Sequence, residues 1–108
     1  MEKVRTLTTP DQCKAQIQTV LSKFNNYSEV DNDNRFKEVQ GLKLRMRRLS
    51  LGLTQTKVSR MLKVTFQQVQ KYEKGTNAIS SLKIWKFCEL TDTDLLWFFE
   101  DFKDRKLT

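Results

Sequence analysis

The apolar residues between positions 52 and 75 recur at the three- and four-residue spacing of a helix, in two groups separated by a brief interruption. The first group has Val58, Met61 and Leu62 on its apolar side. The second group has Val69 and Tyr72. The interruption is too short for a long loop, so the pattern predicts two short helices joined by a turn of about four residues, which is a helix-turn-helix.

Both predicted helices begin at a threonine that is suited to capping a helix. Thr54 precedes the first helix, and Thr65 precedes the second, where Gln68 completes a T-x-x-Q capping box. A hydroxyl at a helix N-terminus can also meet a phosphate. After the second helix, Gly75 can take the left-handed conformation that ends a helix.

The outer side of the second helix carries side chains that suit base edges, a thymine methyl group and phosphates. These side chains are Phe66, Gln67, Gln70, Lys71 and Lys74. Gln67 can bond adenine in a bidentate way, while Phe66 suits either a thymine methyl or a staple at the helix start. Lys71 can reach either guanine or a phosphate. This surface makes DNA binding the leading prediction.

Further helices are predicted on both sides of this unit. The first starts at Thr9, with Pro10 at its first position, and runs to about Asn25. A polar linker follows, and the next helix runs from about Phe36 to Ser50. We therefore predict an N-terminal helix and linker over residues 1–34, a helix-turn-helix domain over 35–103 and a tail over 104–108.

Two more helices are predicted after Gly75. The first opens at Ser80 or Ser81 and turns Ile84, Phe87 and Cys88 inward; the second begins near Asp92 or Asp94. The last helix and its flank present a set of apolar side chains: Leu95, Leu96, Trp97, Phe98, Phe99 and Phe102. A small domain can bury one such apolar stripe against its own core, but hardly both the stripe and the apolar surface of its flank. We therefore expect this surface to form a homodimer interface.

The positive charge of the chain is concentrated in the helix-turn-helix region. Residues 35–75 hold eleven Lys or Arg and two acidic residues, whereas residues 1–34 and 76–108 each have one more acidic than basic residue. The interpretation that needs no partner is that these residues form a solvated surface. The location of the charge favours a polyanion partner instead.

Other classes of function find little support in the composition. The chain has no histidine, and Cys13 and Cys88 lack metal spacing, so neither an enzyme, a metal site nor a cofactor is expected. No apolar run approaches a membrane span, and the basic helix lacks the aromatic anchors of a membrane-surface helix. We expect a reduced, cytoplasmic, nucleoid-associated protein, and no small-molecule ligand, because the bundle leaves no separate ligand domain.

A little over half of the chain carries a more specific set of residues. The set comprises Gly41, Leu44, Arg45 and Arg48, GLTQ at 52–55, TFQQVQKYEKGTN at 65–77, Ser80, and WFF at 97–99. With this set, residues 41–99 resemble the phage-repressor-like (XRE-type) helix-turn-helix DNA-binding regulators. The resemblance implies an all-α, lambda-repressor-like five-helix bundle whose third helix enters the major groove, here with an extra N-terminal helix.

The resemblance also implies roles for individual residues. Gln55 would bond a backbone phosphate and help orient the recognition helix, and Asn77 would touch phosphate in the loop beyond it. Phe66, Gln67 and Lys71 would occupy base-reading positions.

Gln68 and Gln70 would lie at the margins of that reading surface. Arg48 and Glu73 occupy the positions of an intramolecular ion pair in many relatives, so the implied role of Glu73 is structural.

The chain departs from the family pattern at several positions. Lys63 stands where the turn usually has glycine, which predicts a strained positive φ costing roughly 1 kcal/mol. Lys57 replaces an acidic residue at the third position of its helix, and Ala78 replaces a frequent arginine. Thr91 and Thr93 replace aliphatic residues between the last two helices.

The function expected from these observations is sequence-specific binding of double-stranded DNA by a transcriptional regulator, a repressor acting as a homodimer on an inverted-repeat operator. Two alternatives remain open. The same fold can serve as an antitoxin or as a module that sequesters another regulator, or it can belong to a non-specific chromosome-associated protein.

Overall fold

The computed structural model describes residues 9–22 and 29–102, and these residues fold as five α-helices and two short 3-10 helices. The α-helices are α1 (Pro10–Leu21), α2 (Glu29–Ser50), α3 (Gln55–Leu62), α4 (Phe66–Lys74) and α5 (Ser81–Thr91). The 3-10 helices span Leu95–Phe98 and Glu100–Phe102. The predicted all-α fold is confirmed.

The helix ends have the predicted cap residues, but of the capping box predicted at Thr65 the structure shows only the bond from the Gln68 amide. Thr9 accepts a bond from the Gln12 amide, and the Gln12 side chain accepts from the Thr9 amide, which closes a capping box at α1. Ser80 caps α5 through the Lys83 amide. Gly75 ends α4 in the left-handed conformation, at φ +77°. These bonds are local, and the sequence predicts them directly.

Buried apolar side chains form two clusters that share α2. The larger cluster is built by Leu44, Val58, Leu62, Val69, Tyr72, Ile79, Ile84, Phe87, Cys88 and Phe98. The smaller cluster is built by Ile17, Val20, Leu21, Val39, Leu42 and Phe102. The larger cluster fixes α3 and α4 against α2 and α5, and the smaller one fixes α1 against α2.

The second helix is longer than predicted. It begins at Glu29 rather than near Phe36, so positions 29–34 of the predicted linker are helical. Its first turns are polar, which hides the helix from a pattern of apolar spacing. The helix is supported instead by packing on α1, which ends at Leu21 rather than near Asn25. Residues 23–28, which include the start of the predicted linker, and the tail from 104 to 108 lie outside the described residues.

The predicted last helix is replaced by the two 3-10 helices. Asp94 caps the first of them by accepting from the Leu96 amide. The amides of Phe99 and Phe102 donate three residues back, to the Leu96 and Phe99 carbonyls, as in a 3-10 helix. Side chains from α2 hold this segment: Gln40 donates to the Phe98 carbonyl, and Lys43 Nζ donates to the Trp97 carbonyl at 3.0 Å.

The crossing of α2 and α4 depends on a glycine. A Cβ atom at Gly41 would lie 2.0 Å from the Tyr72 carbonyl oxygen, well inside van der Waals contact. Only glycine therefore allows the backbones of α2 and α4 to approach this closely. The close approach sets the position of α4, which is the predicted recognition helix.

Candidate nucleic-acid interface

The fourth helix has one buried face and one solvent face, in the division that its sequence predicts. Val69, Tyr72 and Glu73 are buried. The solvent face carries the predicted base-reading and phosphate residues: Phe66, Gln67, Lys71 and Lys74 are exposed, and Gln68 and Gln70 are half-buried. Phe66 is unusual for its chemistry, because 40% of this large apolar side chain is exposed.

A tight three-residue turn sets α4 against α3. Lys63 ends α3 in the left-handed conformation, with φ 58° and ψ 47°, as its place in the turn predicts. The Val64 amide then donates to the Ser59 carbonyl at 3.0 Å. Thr65 caps α4 by accepting from the Gln68 amide at 3.0 Å, and Thr54 caps α3 from the Lys57 amide at the same distance. The exposed N-termini of both helices are thereby held in place.

The loop after α4 folds back onto the helix. The Gly75 amide donates to the Tyr72 carbonyl, and the amide and hydroxyl of Thr76 both donate to the Lys71 carbonyl. The Asn77 amide reaches the same carbonyl at 3.4 Å, and Asn77 itself is exposed. Asn77 is thus held at the end of the α4 surface, where the resemblance implies a phosphate contact.

A buried carboxylate joins three helices beneath this surface. The Glu73 side chain is fully buried, and Arg48 holds it with a two-bond fork, Nε to Oε2 at 2.6 Å and Nη2 to Oε1 at 3.0 Å. Arg45 Nε donates to the same Oε1 at 3.0 Å, and Gln55 Nε2 donates to it at 2.9 Å. Arg48 Nη1 also donates to the Leu53 carbonyl, so one carboxylate fixes α2, α3, α4 and the loop before α3.

The sequence implied the Arg48–Glu73 pair but not the two further donors. Gln55 was expected to face a phosphate, and the structure shows one of its amide hydrogens directed to Glu73. An amide nitrogen carries a second hydrogen, so this contact leaves one donor for a partner outside. The Glu73 bond also fixes which end of the amide is nitrogen. The only sequence feature that indicates the Arg45 contact is its spacing of three residues from Arg48, which places both arginines on one side of α2.

The structure divides the basic residues of the central region into two groups. Four of those on α2 have partners within the chain: Arg45 and Arg48 bond Glu73, Lys43 contacts Asp101 at 2.8 Å and the Trp97 ring at 4.3 Å, and Arg47 bonds the Thr93 hydroxyl at 2.8 Å. Those of α3, the turn and α4 are exposed: Lys57, Arg60, Lys63, Lys71 and Lys74. The only acidic residue between positions 54 and 75 is the buried Glu73, so the exposed positive charge lies on the helix-turn-helix.

The apolar C-terminal residues are only partly available for a partner. Phe98 and Phe102 are 0% and 8% exposed, because each packs in one of the chain's own clusters. Trp97 and Phe99 are half-buried. Leu95 and Leu96 are 40% and 71% exposed, so the predicted interface narrows to these two leucines. Thr91 and Thr93, which replace aliphatic residues, bond each other through their hydroxyls at 2.7 Å.

Comparison with known proteins identifies this architecture. The model of the family described as helix-turn-helix matches residues 44–98. The chain belongs to the helix-turn-helix family. All residues of the larger apolar cluster fall inside the matched range, as do α3, α4 and α5. Membership in this family supports the expectation that the chain is not an enzyme.

The relatives found are named as regulators. The chain is 41% identical over 61 residues to an uncharacterized HTH-type transcriptional regulator of Sinorhizobium medicae (strain WSM419), and equally to one of Rhizobium meliloti (strain 1021). Each match covers 56% of this chain and 44% of the relative. An uncharacterized transcriptional regulator in the ATPase CF(0) region of Rhodospirillum rubrum is 38% identical over 61 residues, covering 56% of both chains. The helix-turn-helix chain thus spans about half the length of these relatives.

Two further comparisons bound the interpretation. No solved structure matches the chain. Among the residues that the structure describes, no helix is long and apolar enough to span a bilayer, and no group of three or more His, Cys, Asp or Glu is placed to hold a metal ion.

Proposed function

We propose that this helix-turn-helix protein binds double-stranded DNA sequence-specifically and represses transcription, with α4 in the major groove. The observation that carries the proposal is the division of α4 into a buried face and a polar, cationic face with no exposed carboxylate. The major groove accepts an α-helix, and amide and cationic side chains match base edges and phosphates there. The relatives are named as transcriptional regulators, which agrees with this proposal.

Individual side chains of α4 divide between reading and anchoring. Gln67, exposed in the first turn, is assigned to a base edge, with Phe66 beside it contacting a thymine methyl. Lys71 faces the groove one turn later, and Gln68 and Gln70 lie at its margins. Lys74, in the last turn, is assigned to phosphate.

Selection of bound duplexes from a random DNA pool tests the proposal directly. We expect a defined consensus sequence, whereas enrichment of no sequence would contradict specific binding and favour a non-specific chromosome-associated protein. Gln67→Ala should then weaken the selected site by roughly 1–3 kcal/mol and relax preference at one base pair. Lys74→Ala, the matched control on the same helix, should weaken all sequences alike and reduce the salt slope.

A two-fold dimer is the second part of the proposal. Leu95 and Leu96 are neighbours in the chain and are 40% and 71% exposed, so together they present apolar surface. Contiguous exposed apolar surface usually marks an interface. A two-fold dimer would present two copies of α4 to successive major grooves, so the operator should be an inverted repeat with half-sites about 34 Å apart.

Sedimentation at micromolar concentration tests this dimer. We expect a dimer for the wild-type chain and a monomer for Leu96→Lys, with Glu89→Lys on the outer side of α5 as the matched control. A wild-type monomer that binds a single, non-palindromic site with full affinity would contradict the dimer and leave the α4 surface assignment intact.

A protein partner is the alternative occupant of the same leucines. The exposed Leu95 and Leu96 suit a toxin or a second regulator as well as a second copy. A chain that sediments as a monomer, selects no DNA sequence and still loses its cellular effect in Leu96→Lys would favour this antitoxin or sequestering function.

A further inference from the structure

The buried cluster around Glu73 carries more positive than negative charge. Arg45 and Arg48 both donate to the one carboxylate, and within residues 9–22 and 29–102 no other acidic group pairs with either guanidinium. Arg48 alone satisfies the carboxylate with its two-bond fork. The second guanidinium, that of Arg45, is therefore left with an unneutralised charge at a partly buried position.

The two arginines differ in the donors that they have left. Arg48 directs Nε and Nη2 to Glu73 and Nη1 to the Leu53 carbonyl, and its side chain is 9% exposed. Arg45 directs only Nε to Glu73, and its Nη groups make no hydrogen bond to any part of the chain that the structure describes. Its side chain is 17% exposed, so the side chain that carries these donors reaches the surface. A guanidinium held at Nε with free Nη groups is oriented for an oxyanion.

The location of Arg45 indicates which anion it meets. Arg45 Nε and Gln55 Nε2 donate to the same Glu73 oxygen at 3.0 and 2.9 Å, so the two nitrogens lie within about 6 Å of each other. Gln55 stands at the first position of α3, where the resemblance implies a DNA phosphate. The Arg45 guanidinium thus lies beside that position.

We propose that Arg45 binds a backbone phosphate of the DNA next to the phosphate of Gln55, with Glu73 fixing the orientation of its guanidinium. This inference rests on the proposed DNA binding and extends the interface from the helix-turn-helix onto α2. Glu73 then has two roles. It stabilises the fold through Arg48, and it orients Arg45 and Gln55 toward adjacent phosphates.

The salt dependence of DNA affinity distinguishes a phosphate contact from a merely structural residue. The probe is a labelled duplex carrying the selected sequence, titrated with full-length protein between 50 and 200 mM salt. Arg45→Gln should weaken binding roughly tenfold and lower the slope of log affinity against log salt by about 0.9. Arg47→Gln is the matched control, because it removes one charge from the same helix but from a side chain bonded to Thr93.

Two outcomes of this salt titration would overturn the inference. An unchanged slope in Arg45→Gln, or an equal fall in Arg47→Gln, would show that Arg45 contacts no phosphate. Thermal melting accompanies each titration, since a structural residue would lower the melting temperature without altering the slope. Failure of the wild-type chain to select any DNA sequence would instead overturn the proposed function, and with it this inference.

A second measurement locates the phosphate and remains informative if Arg45→Gln does not fold. Duplexes with one neutral methylphosphonate at a time are bound to the wild-type protein and to Arg45→Lys, which keeps the charge but loses the planar fork. We expect one phosphate whose neutralisation weakens the wild type roughly tenfold and Arg45→Lys less. Identical profiles for the two proteins would overturn the inference.

Discussion

The two apolar clusters differ in what surrounds them along the chain. Every residue of the larger cluster falls within the family match at 44–98, and every residue of the smaller cluster falls outside it. The long helix α2 belongs to both, since Leu44 packs in the larger cluster and Val39 and Leu42 in the smaller. The chain thus adds α1 and the first half of α2 to the family bundle, and joins them through one continuous helix.

The two clusters also differ in how they are closed. The larger one is bordered by the charged group at Glu73, whose four hydrogen bonds tie three helices together. The smaller one is closed by aromatic contacts, with the Phe36 and Phe102 ring centroids 4.8 Å apart. Directional bonds fix the geometry of the surface that we propose to match DNA, whereas non-directional packing suffices for a helix that covers a core.

The largest expected effect comes from removing the Glu73 carboxylate, which accepts bonds from Arg45, Arg48 and Gln55. Glu73→Ala leaves two guanidinium groups and the Gln55 amide without their acceptor, so we expect the free energy of unfolding to fall by about 3–5 kcal/mol. Chemical denaturation monitored by circular dichroism measures this change. Glu89→Ala, which removes an exposed carboxylate on α5, is the control and should change the stability by less than about 0.5 kcal/mol. Equal effects of the two substitutions would contradict the structural role of Glu73.

A smaller effect is expected in the second cluster. Ile17 is 2% exposed at the contact of α1 with α2, and Ile17→Ala should lower the free energy of unfolding by about 2–4 kcal/mol. Hydrogen exchange should show the loss of protection in α1 and the first half of α2, with α3 to α5 retaining theirs.

The control for this substitution is Gln16→Ala, at an exposed position of the same helix, and it should leave protection unchanged. A uniform loss of protection across both clusters after Ile17→Ala would show that they unfold as one unit.

The local features of the fold could be predicted from the sequence, and the features that depend on distant contacts could not. The caps at Thr54, Thr65 and Ser80, and the left-handed Lys63, depend on residues within a few positions. The polar start of α2 lacks the apolar periodicity that marks a helix, and α1 packs on the same helix further along, at Val39 and Leu42.

The candidate site shows the same limit. The two faces of α4 follow from helical spacing alone, so Gln67 and Lys71 could be placed on its outer side. The donation of Gln55 to Glu73 crosses eighteen positions, and that of Arg45 crosses twenty-eight. The C-terminal 3-10 segment is likewise bonded by Gln40, fifty-eight positions from its acceptor.

The cysteines report on different helices, because Cys13 lies in α1 and Cys88 lies in α5, within the larger cluster. Burial raises the pKa of both thiols above the usual 9.0, which keeps them neutral and unreactive in the folded chain. Labelling therefore requires opening, and we expect Cys13 to react roughly tenfold faster than Cys88, since α1 opens without the bundle. Mass spectrometry of labelled peptides at pH 8 measures the two rates.

The direction of the pKa shift also fixes the pH dependence. A raised pKa in the folded chain favours the neutral thiol, so its contribution to stability is full below the unfolded pKa and is lost as pH rises through the folded one. Stability should therefore be independent of the thiols near pH 7 and fall above about pH 9. Equal labelling rates at both cysteines would contradict separate opening of α1.

The smallest expected effect lies in the turn of the larger cluster, where Lys63 adopts a conformation that favours glycine. The left-handed backbone costs a lysine roughly 1–2 kcal/mol, and the greater freedom of glycine in the unfolded chain offsets about 0.5–1 kcal/mol of that. Lys63→Gly should therefore raise the free energy of unfolding by about 0.5–1 kcal/mol.

Lys57→Gly is the matched control, since it removes the same charge from the neighbouring helix α3 at an exposed position with ordinary helical geometry. It should lower the stability by about 1 kcal/mol, so the two substitutions are expected to have opposite signs in the same denaturation experiment. A destabilising Lys63→Gly would mean that the lysine side chain contributes more to the turn than its backbone strain removes.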